Sequence, residues 1–404
     1  MNRLRWIFPQ WGIPLIVIAL TAACNLGTEN LFSGGESSST PFLPEHTATA
    51  SPTSAPTETP GEPTATPTET PIPLVYPVGP SGFPSNVDPL TGLIVDDPAL
   101  LDRRPLGIKV SNFPRSARPQ AGMSKADLLW EFYTEYGNTR WIAMYYGQDA
   151  EKVGPIRSAR VLDTRIMPLY HSILVHVQAF ETVWVEISKS GVDTINEFPA
   201  SCPAICRDPD EEVVENSAFG NTAELTRYAR RIGLLSAGKP NLDGMVFDPA
   251  TPEGLQESTG ARVIFSSSAV AQWKYDPEEK RYLRFSETAT FALDPLDDRT
   301  TGEQLAVDNV AILMVDTFRY AGQTGTGEQL DMDLSTSGKA FFFRDGMMME
   351  GRWQSGGPNA PLQFVDPDGA LFALHPGTTY IGIVGDNSTG ARAATSEWYF
   401  YNAR

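Results

Sequence analysis

Histidine and cysteine are scarce in this chain. Its 404 residues include four histidines, His46, His171, His176 and His375, and three cysteines, Cys24, Cys202 and Cys206. So few ligands exclude a multi-cysteine zinc module and a disulfide-dense scaffold. The sequence has no Gly-x-Ser-x-Gly elbow, P-loop, HExxH helix or dinucleotide fingerprint. Nothing therefore announces a hydrolase triad or nucleotide chemistry, and no cofactor or metal is expected. Positive charge is also short, with 31 Lys and Arg against 49 Asp and Glu, a net charge of -18. That balance argues against nucleic-acid binding, which needs a basic footprint. It argues equally against a body lying on an anionic lipid surface.

A long apolar run is missing as well. The stretch from Trp11 to Ala23 is interrupted by Gly12 and Pro14 and falls short of the ~20 residues a spanning helix needs. What stands there instead is a secretory signal: Arg3 and Arg5, an apolar core, then Ala22 and Ala23 before Cys24. Leu20-Thr21-Ala22-Ala23-Cys24 resembles the lipobox of bacterial lipoproteins, with Thr21 in place of the commoner aliphatic residue. Residues 1–23 are thus expected to be a lipoprotein signal peptide and Cys24 to be lipidated. The partner so implied is a membrane, with the chain facing the extracytoplasmic side. Two or more acyl chains give stable anchoring. Residues 24–82 form a Pro/Thr/Ser-rich linker in which PTETP occurs twice, and such a composition buries too little apolar surface to fold. At about 3.1 Å per residue, roughly 55 such residues reach up to ~170 Å when extended.

About 320 residues remain, enough for two domains by the ~150-residue prior. The first, residues 83–250, reads as an α/β module with a largely parallel sheet and crossover helices. PLGIKVSN, TRWIAMYYGQ and SILVHVQAF read as strands. SKADLLWEFYTEYG reads as a helix capped by Ser124 and stopped at Gly137, and VLDTRIMPLYHS as a second helix. NTAELTRYARRIGLL is a third. The second domain, residues 251–404, alternates in short apolar runs and should be mainly antiparallel β. Asp345-Gly346 between two such runs is a hairpin signal. Cys202 and Cys206, in SCPAICRD, suggest a local disulfide in an oxidising compartment; free thiols and a metal or redox pair are the alternatives.

Polar residues gather in loops beside the expected strand ends. Asn112, Arg115, Arg118 and Gln120 follow the first strand. Glu131, Glu135 and Arg140 surround the supposed first helix. Arg157, Ser158 and Arg160 lie in GPIRSAR, and Gln178 ends the third strand. Ligands of open parallel sheets bind outside the carboxyl ends of the strands, and arginine's planar fork suits carboxylate or phosphate. Asn112, Arg118, Glu131, Arg140, Arg157, Ser158, Arg160 and Gln178 are therefore candidates for an anionic ligand site. The bland alternative is that the arginines pair internally with Glu131, Glu135 or Asp163. Glu131 and Glu135, His171 and His176 are acid/base candidates, each of which also reads as structural, and no catalytic residue is assigned. The acidic loop from Asp208 to Glu212 lacks EF-hand spacing and reads as a solvated turn.

DPLTGL, RPLGIKVSN, ARPQAGMSKADLLWEFYTEYGNTRW and VGPIRSAR together resemble the YerB-like bacterial lipoprotein family. DNVAILMV, the GKAFFFRDG…GRW hairpin and LHPGTTYIGIV extend the resemblance over about residues 88–384. The family commonly has Glu-Gly-Gly where this chain has Glu135-Tyr136-Gly137, and His-Asn where it has Glu215-Asn216. The resemblance implies a surface lipoprotein of two modules, one mixed α/β and one mainly β, both domains of unknown function. It implies no reaction. The expectation is a tethered binding protein for an anionic cell-wall or envelope ligand. An envelope hydrolase or transferase, and a scaffold for an envelope protein complex, are the rivals.

Overall fold

The computed structural model describes residues 74–236, 238–320 and 329–403. The signal peptide, Cys24 and nearly all of the linker lie outside them. The first strands are β1 (Leu106–Ser111), β2 (Leu128–Tyr133) and β3 (Thr139–Tyr145), and a short helix α1 (Asp163–Ile166) leads to β4 (Ile173–His176). Helix α2 (Glu181–Ser190), β5 (Thr194–Asn196) and α3 (Thr222–Arg231) follow.

Residues 124–137 do not form the expected helix; a three-residue 3-10 turn, Met123–Lys125, leads into a strand. β2 runs through LLWEFY with all six side chains buried, and a surface helix would leave one face of that sequence in water. Trp, Phe and Tyr favour a pleated surface, and β2 is sandwiched between two neighbours. Ser124 does not act as a cap: its hydroxyl and its amide both donate to Asp298 Oδ2, at 2.5 and 2.8 Å. Tyr136 (φ 54°) and Gly137 (φ 81°) turn the β2–β3 hairpin. The expected third strand also ends early, at His176 rather than Phe180, and α2 was not foreseen. Gly191, at φ 69°, closes that helix in the left-handed conformation.

The later strands are β6 (Gly260–Ser266), β7 (Ala269–Asp276) and β8 (Arg281–Glu287). Then come β9 (Asn309–Val315), β10 (Ser337–Arg344), β11 (Met347–Gln354), β12 (Gln363–Val365) and β13 (Thr379–Gly385). Asp345 (φ 54°) and Gly346 (φ 70°) make the expected β10–β11 turn, both with the positive φ that such hairpins require.

One sheet runs through both halves of the body, in the order β12-β11-β10-β9-β13-β2-β3-β1-β4-β5. In the first half β2, β3 and β1 pair antiparallel, and β1, β4 and β5 parallel. The halves join where β2 pairs parallel with β13, Leu128 opposite Thr379 through Phe132 opposite Ile383. β6, β7 and β8 belong to a second, mostly antiparallel sheet. The architecture is thus a mixed sheet in the first half and antiparallel-rich sheets in the second. A single buried cluster includes Trp130 and Trp141 of the first half and Trp273 and Trp353 of the second.

Candidate functional site

The parallel pairing of β1 and β4 brings their carboxyl ends to one edge. GPIRSAR lies across that edge. The Arg157 amide donates to Lys109 O (2.8 Å), Val177 donates to Arg157 O (3.1 Å), and Ala159 donates to Gln178 O (3.1 Å). Gly154 permits the crossing. At its φ of 152° a Cβ would stand 2.8 Å from Ala218 O and 2.9 Å from the Ile156 amide nitrogen.

The eight candidate residues separate into an inner and an outer group. In the inner group, the Asn112 amide nitrogen donates to Glu131 Oε1 (2.8 Å) and Thr139 Oγ1 (2.7 Å). Arg118 Nε donates to Asn112 Oδ1 (2.9 Å), and its terminal nitrogen pairs with Glu287 (3.0 Å). Glu131 Oε2 accepts from Arg284 (2.8 Å) and Tyr380 (3.0 Å). The Arg284 guanidinium lies over Trp141 at 4.6 Å. Burial, and then the Glu131 charge, push the Tyr380 phenol well above its ordinary range. Asn112 and Glu131 are buried. Every oxygen of Glu131 is occupied, so its chemistry here is to hold Arg284 and Tyr380 of the second half against the first.

The outer group is more open. Arg160 makes a two-pronged pair with Glu135, one prong Nε to Oε2 at 2.6 Å. Arg140 reaches the same carboxylate at 3.6 Å and donates to Ser158 O at 2.7 Å. Burial raises the Glu135 carboxyl, but the Arg160 bonds and charge outweigh it and hold it below its ordinary value. Beneath them Lys109 Nζ meets Asp163 Oδ1 at 2.6 Å, both side chains fully buried. Burial brings the Lys109 ammonium down to about 8 against the pull of Asp163. Asp163 Oδ2 also accepts the Arg160 amide at 2.7 Å.

Arg157 differs from its neighbours. It is half-buried, donates Nε to Ser111 Oγ (3.2 Å), and makes no ion pair among the described residues. Burial lowers its affinity for a proton; the more distant Glu215 raises it, and Arg160 lowers it again. Gln178 is exposed and sits at φ 60°, which is uncommon for a residue other than glycine. Observed strain of this kind clusters at functional sites. Phe180, 55% exposed, lies 5.3 Å from the Arg160 guanidinium, and Trp184, 39% exposed, lies 5.0 Å from the His176 ring. His176 Nδ1 bonds Gln178 O at 2.8 Å, its Nε2 is buried without a partner among the described residues, and burial lowers its pKa.

Sequence reasoning passed over Lys109, Phe180, Trp184, Arg284 and Tyr380. A lone lysine inside the buried run LGIKVS was the available signal for the first, since such a charge needs a buried partner. His171 contacts Asn359 O at 2.9 Å, away from this edge. In the acidic loop, Asp208 pairs with Lys152 at 2.6 Å and Glu211 pairs with Arg299. Cys202 and Cys206 are joined in a disulfide.

A second polar feature lies elsewhere. Asp88 and Asp127 are buried together beside a cavity of about 210 Å³. Asp127 Oδ2 accepts the Tyr146 (2.5 Å) and Gly147 (3.1 Å) amides, and Asp88 Oδ1 accepts that of Leu90 (2.8 Å). Burial, and then the charge of Asp127, put Asp88 well above the ordinary carboxylate range. Burial raises Asp127 to about 6 against the two amides.

The chain carrying this edge matches a family defined by two domains. Residues 90–234 match the N-terminal domain, and residues 261–381 the C-terminal domain, of the protein of unknown function family DUF3048. The chain belongs to that family. It is 29% identical over 302 residues to YerB of Bacillus subtilis (strain 168), which is named as a lipoprotein; the match covers 74% of this chain and 86% of YerB. It also superposes on the crystal structure of Bacillus subtilis YerB with a TM-score of 0.64 at 27% identity, covering 74% of this chain and 97% of that one.

Proposed function

We propose that this protein is a binding protein tethered to the outer face of the membrane through Cys24, and that the Arg157 edge takes an anionic envelope ligand. One observation carries the reading. In a chain of net charge -18, Arg157 is a half-buried guanidinium with no ion pair among the described residues. Part of its desolvation is already incurred, so an arriving carboxylate or phosphate gains a charge-assisted, two-pronged bond. Arg140 and Arg160 stand behind it, tied to Glu135. Ser158 and Gln178 flank it, and Asn112, Arg118 and Glu131 brace the edge from beneath.

The test is thermal shift and calorimetry on the full chain with muropeptides, teichoic-acid fragments and phosphosugars. A stabilising shift lost in Arg157→Gln is expected. If no anion of the panel gives an Arg157-dependent shift, the reading fails. The anchor is tested separately by palmitate labelling of cells carrying Cys24→Ala, which should lose the label and release the protein from membranes.

A further inference from the structure

The Arg157 edge carries features that a bare anion does not need. Phe180 and Trp184 stand one helical turn apart, the Trp184 amide donating to Phe180 O at 3.0 Å. Both rings are braced from inside, by Arg160 and His176, and both stay 39–55% exposed. Exposed aromatic residues on a single helical turn are costly in water, and here they border a cationic loop. The side chains of Ser158 and Gln178 reach no hydrogen-bond partner among the described residues, although their backbones are engaged. They offer a hydroxyl and an amide, each able both to donate and to accept. No side chain among the described residues caps the ten-residue helix α2, which begins at this point. Its exposed first-turn Glu181 offsets the helix dipole, so the choice of charge falls to Arg157.

A ligand that uses all of these has an apolar face, several hydroxyls and one acidic group. A sugar ring presents an apolar C–H face and a polar rim, and an aromatic platform with a few placed polar groups is how such amphipathic ligands are held. We propose that this edge recognises an acidic saccharide. Its ring packs on Phe180 and Trp184, its carboxylate or phosphate meets Arg157, and its hydroxyls meet Ser158 and Gln178. The inference rests on the anion-binding reading above and goes beyond it by naming the ligand class.

Calorimetry on the full chain tests it with five probes. Two are acidic saccharides, tetragalacturonic acid and the tetrasaccharide of alternating N-acetylglucosamine and N-acetylmuramic acid. The others are neutral chitotetraose, tetraglutamate and inorganic phosphate. At least one acidic saccharide should bind about tenfold tighter than chitotetraose or tetraglutamate, because ring stacking and charge act together. Phe180→Ala and Trp184→Ala should each weaken it about fivefold while leaving any binding of phosphate unchanged. Trp184→Leu, which keeps the apolar bulk, controls for damage to α2, and melting curves confirm folding. Arg157→Gln should remove saccharide binding altogether. If tetraglutamate binds as tightly as both saccharides, or if Trp184→Ala leaves saccharide affinity intact, the saccharide inference is overturned and the anion reading stands. If Arg157→Gln changes the binding of no probe, both fall.

Discussion

At the scale of single residues, ionisable groups inside the body do two different jobs. Glu131 and Arg284 neutralise each other where the two halves meet, with Asn112, Thr139 and Tyr380 filling the remaining positions. Removing one partner strands the other in a buried site. Glu131→Gln is therefore expected to cost roughly 3–5 kcal/mol, read as a lower denaturant midpoint at unchanged slope. A loss below about 1 kcal/mol would show that the pair is not holding the halves together. Asp88 and Asp127 behave in the opposite sense. Asp127 has its pKa raised to about 6, against an unfolded value of about 3.9. The folded state thus binds the proton more tightly, and this group's stabilisation is complete below the unfolded pKa and lost as pH rises through about 6. Asp127→Asn removes that dependence and can donate to Asp88 in place of the lost proton. Between pH 4 and pH 7 the parent should lose on the order of 2 kcal/mol more than the variant, measured by thermal melts at several pH values. Parallel curves would show that burial does not raise the Asp127 pKa. Glu135 has the reverse sign: its lowered pKa contributes stability that disappears as pH falls.

At the scale of elements, the loop that carries Arg157 depends on one glycine. Gly154 lies where any side chain would collide with the backbone of residues 218 and 156, and its φ of 152° is one that L-residues rarely adopt. Gly154→Ala should destabilise by about 1–3 kcal/mol and should weaken any Arg157-dependent ligand, because the loop lifts from the ends of β1 and β4. Hydrogen exchange at the Arg157 and Ala159 amides reports this directly; protection equal to the parent's would contradict it. Most elements were legible in the sequence. β1, β3, α3 and the Asp345-Gly346 hairpin follow from apolar patterning and turn chemistry. β2 was not, because LLWEFY is apolar at helical as well as strand spacing, and short apolar runs do not distinguish the two. α2 was hidden for a related reason: its Val183, Val185 and Ile187 alternate as a strand would, and β-branched residues favour that assignment.

At the scale of the whole molecule, the division into two modules matters less than the sheet that joins them. β2 gives its outer edge to β13 over five residue pairs, and without the second half that edge carries unpaired backbone groups. Residues 83–250 expressed alone should aggregate or stay partly unfolded, whereas residues 83–404 should melt in one transition by calorimetry. A soluble, cooperatively folded first half would argue for independent modules.

Sequence by itself determined the family, the scarcity of catalytic motifs, the short apolar start ending at Cys24, and the loops where polar residues gather. These depend on local order along the chain, which composition and spacing record. Tertiary structure alone decided which arginines are spent. Arg118, Arg140 and Arg160 meet carboxylates and Arg157 meets none among the described residues. Their partners Glu287 and Glu135 come from different strands and turns, and Arg284 reaches Glu131 across 153 residues. Pairing over such distances is set by the sheet order, which no local pattern encodes.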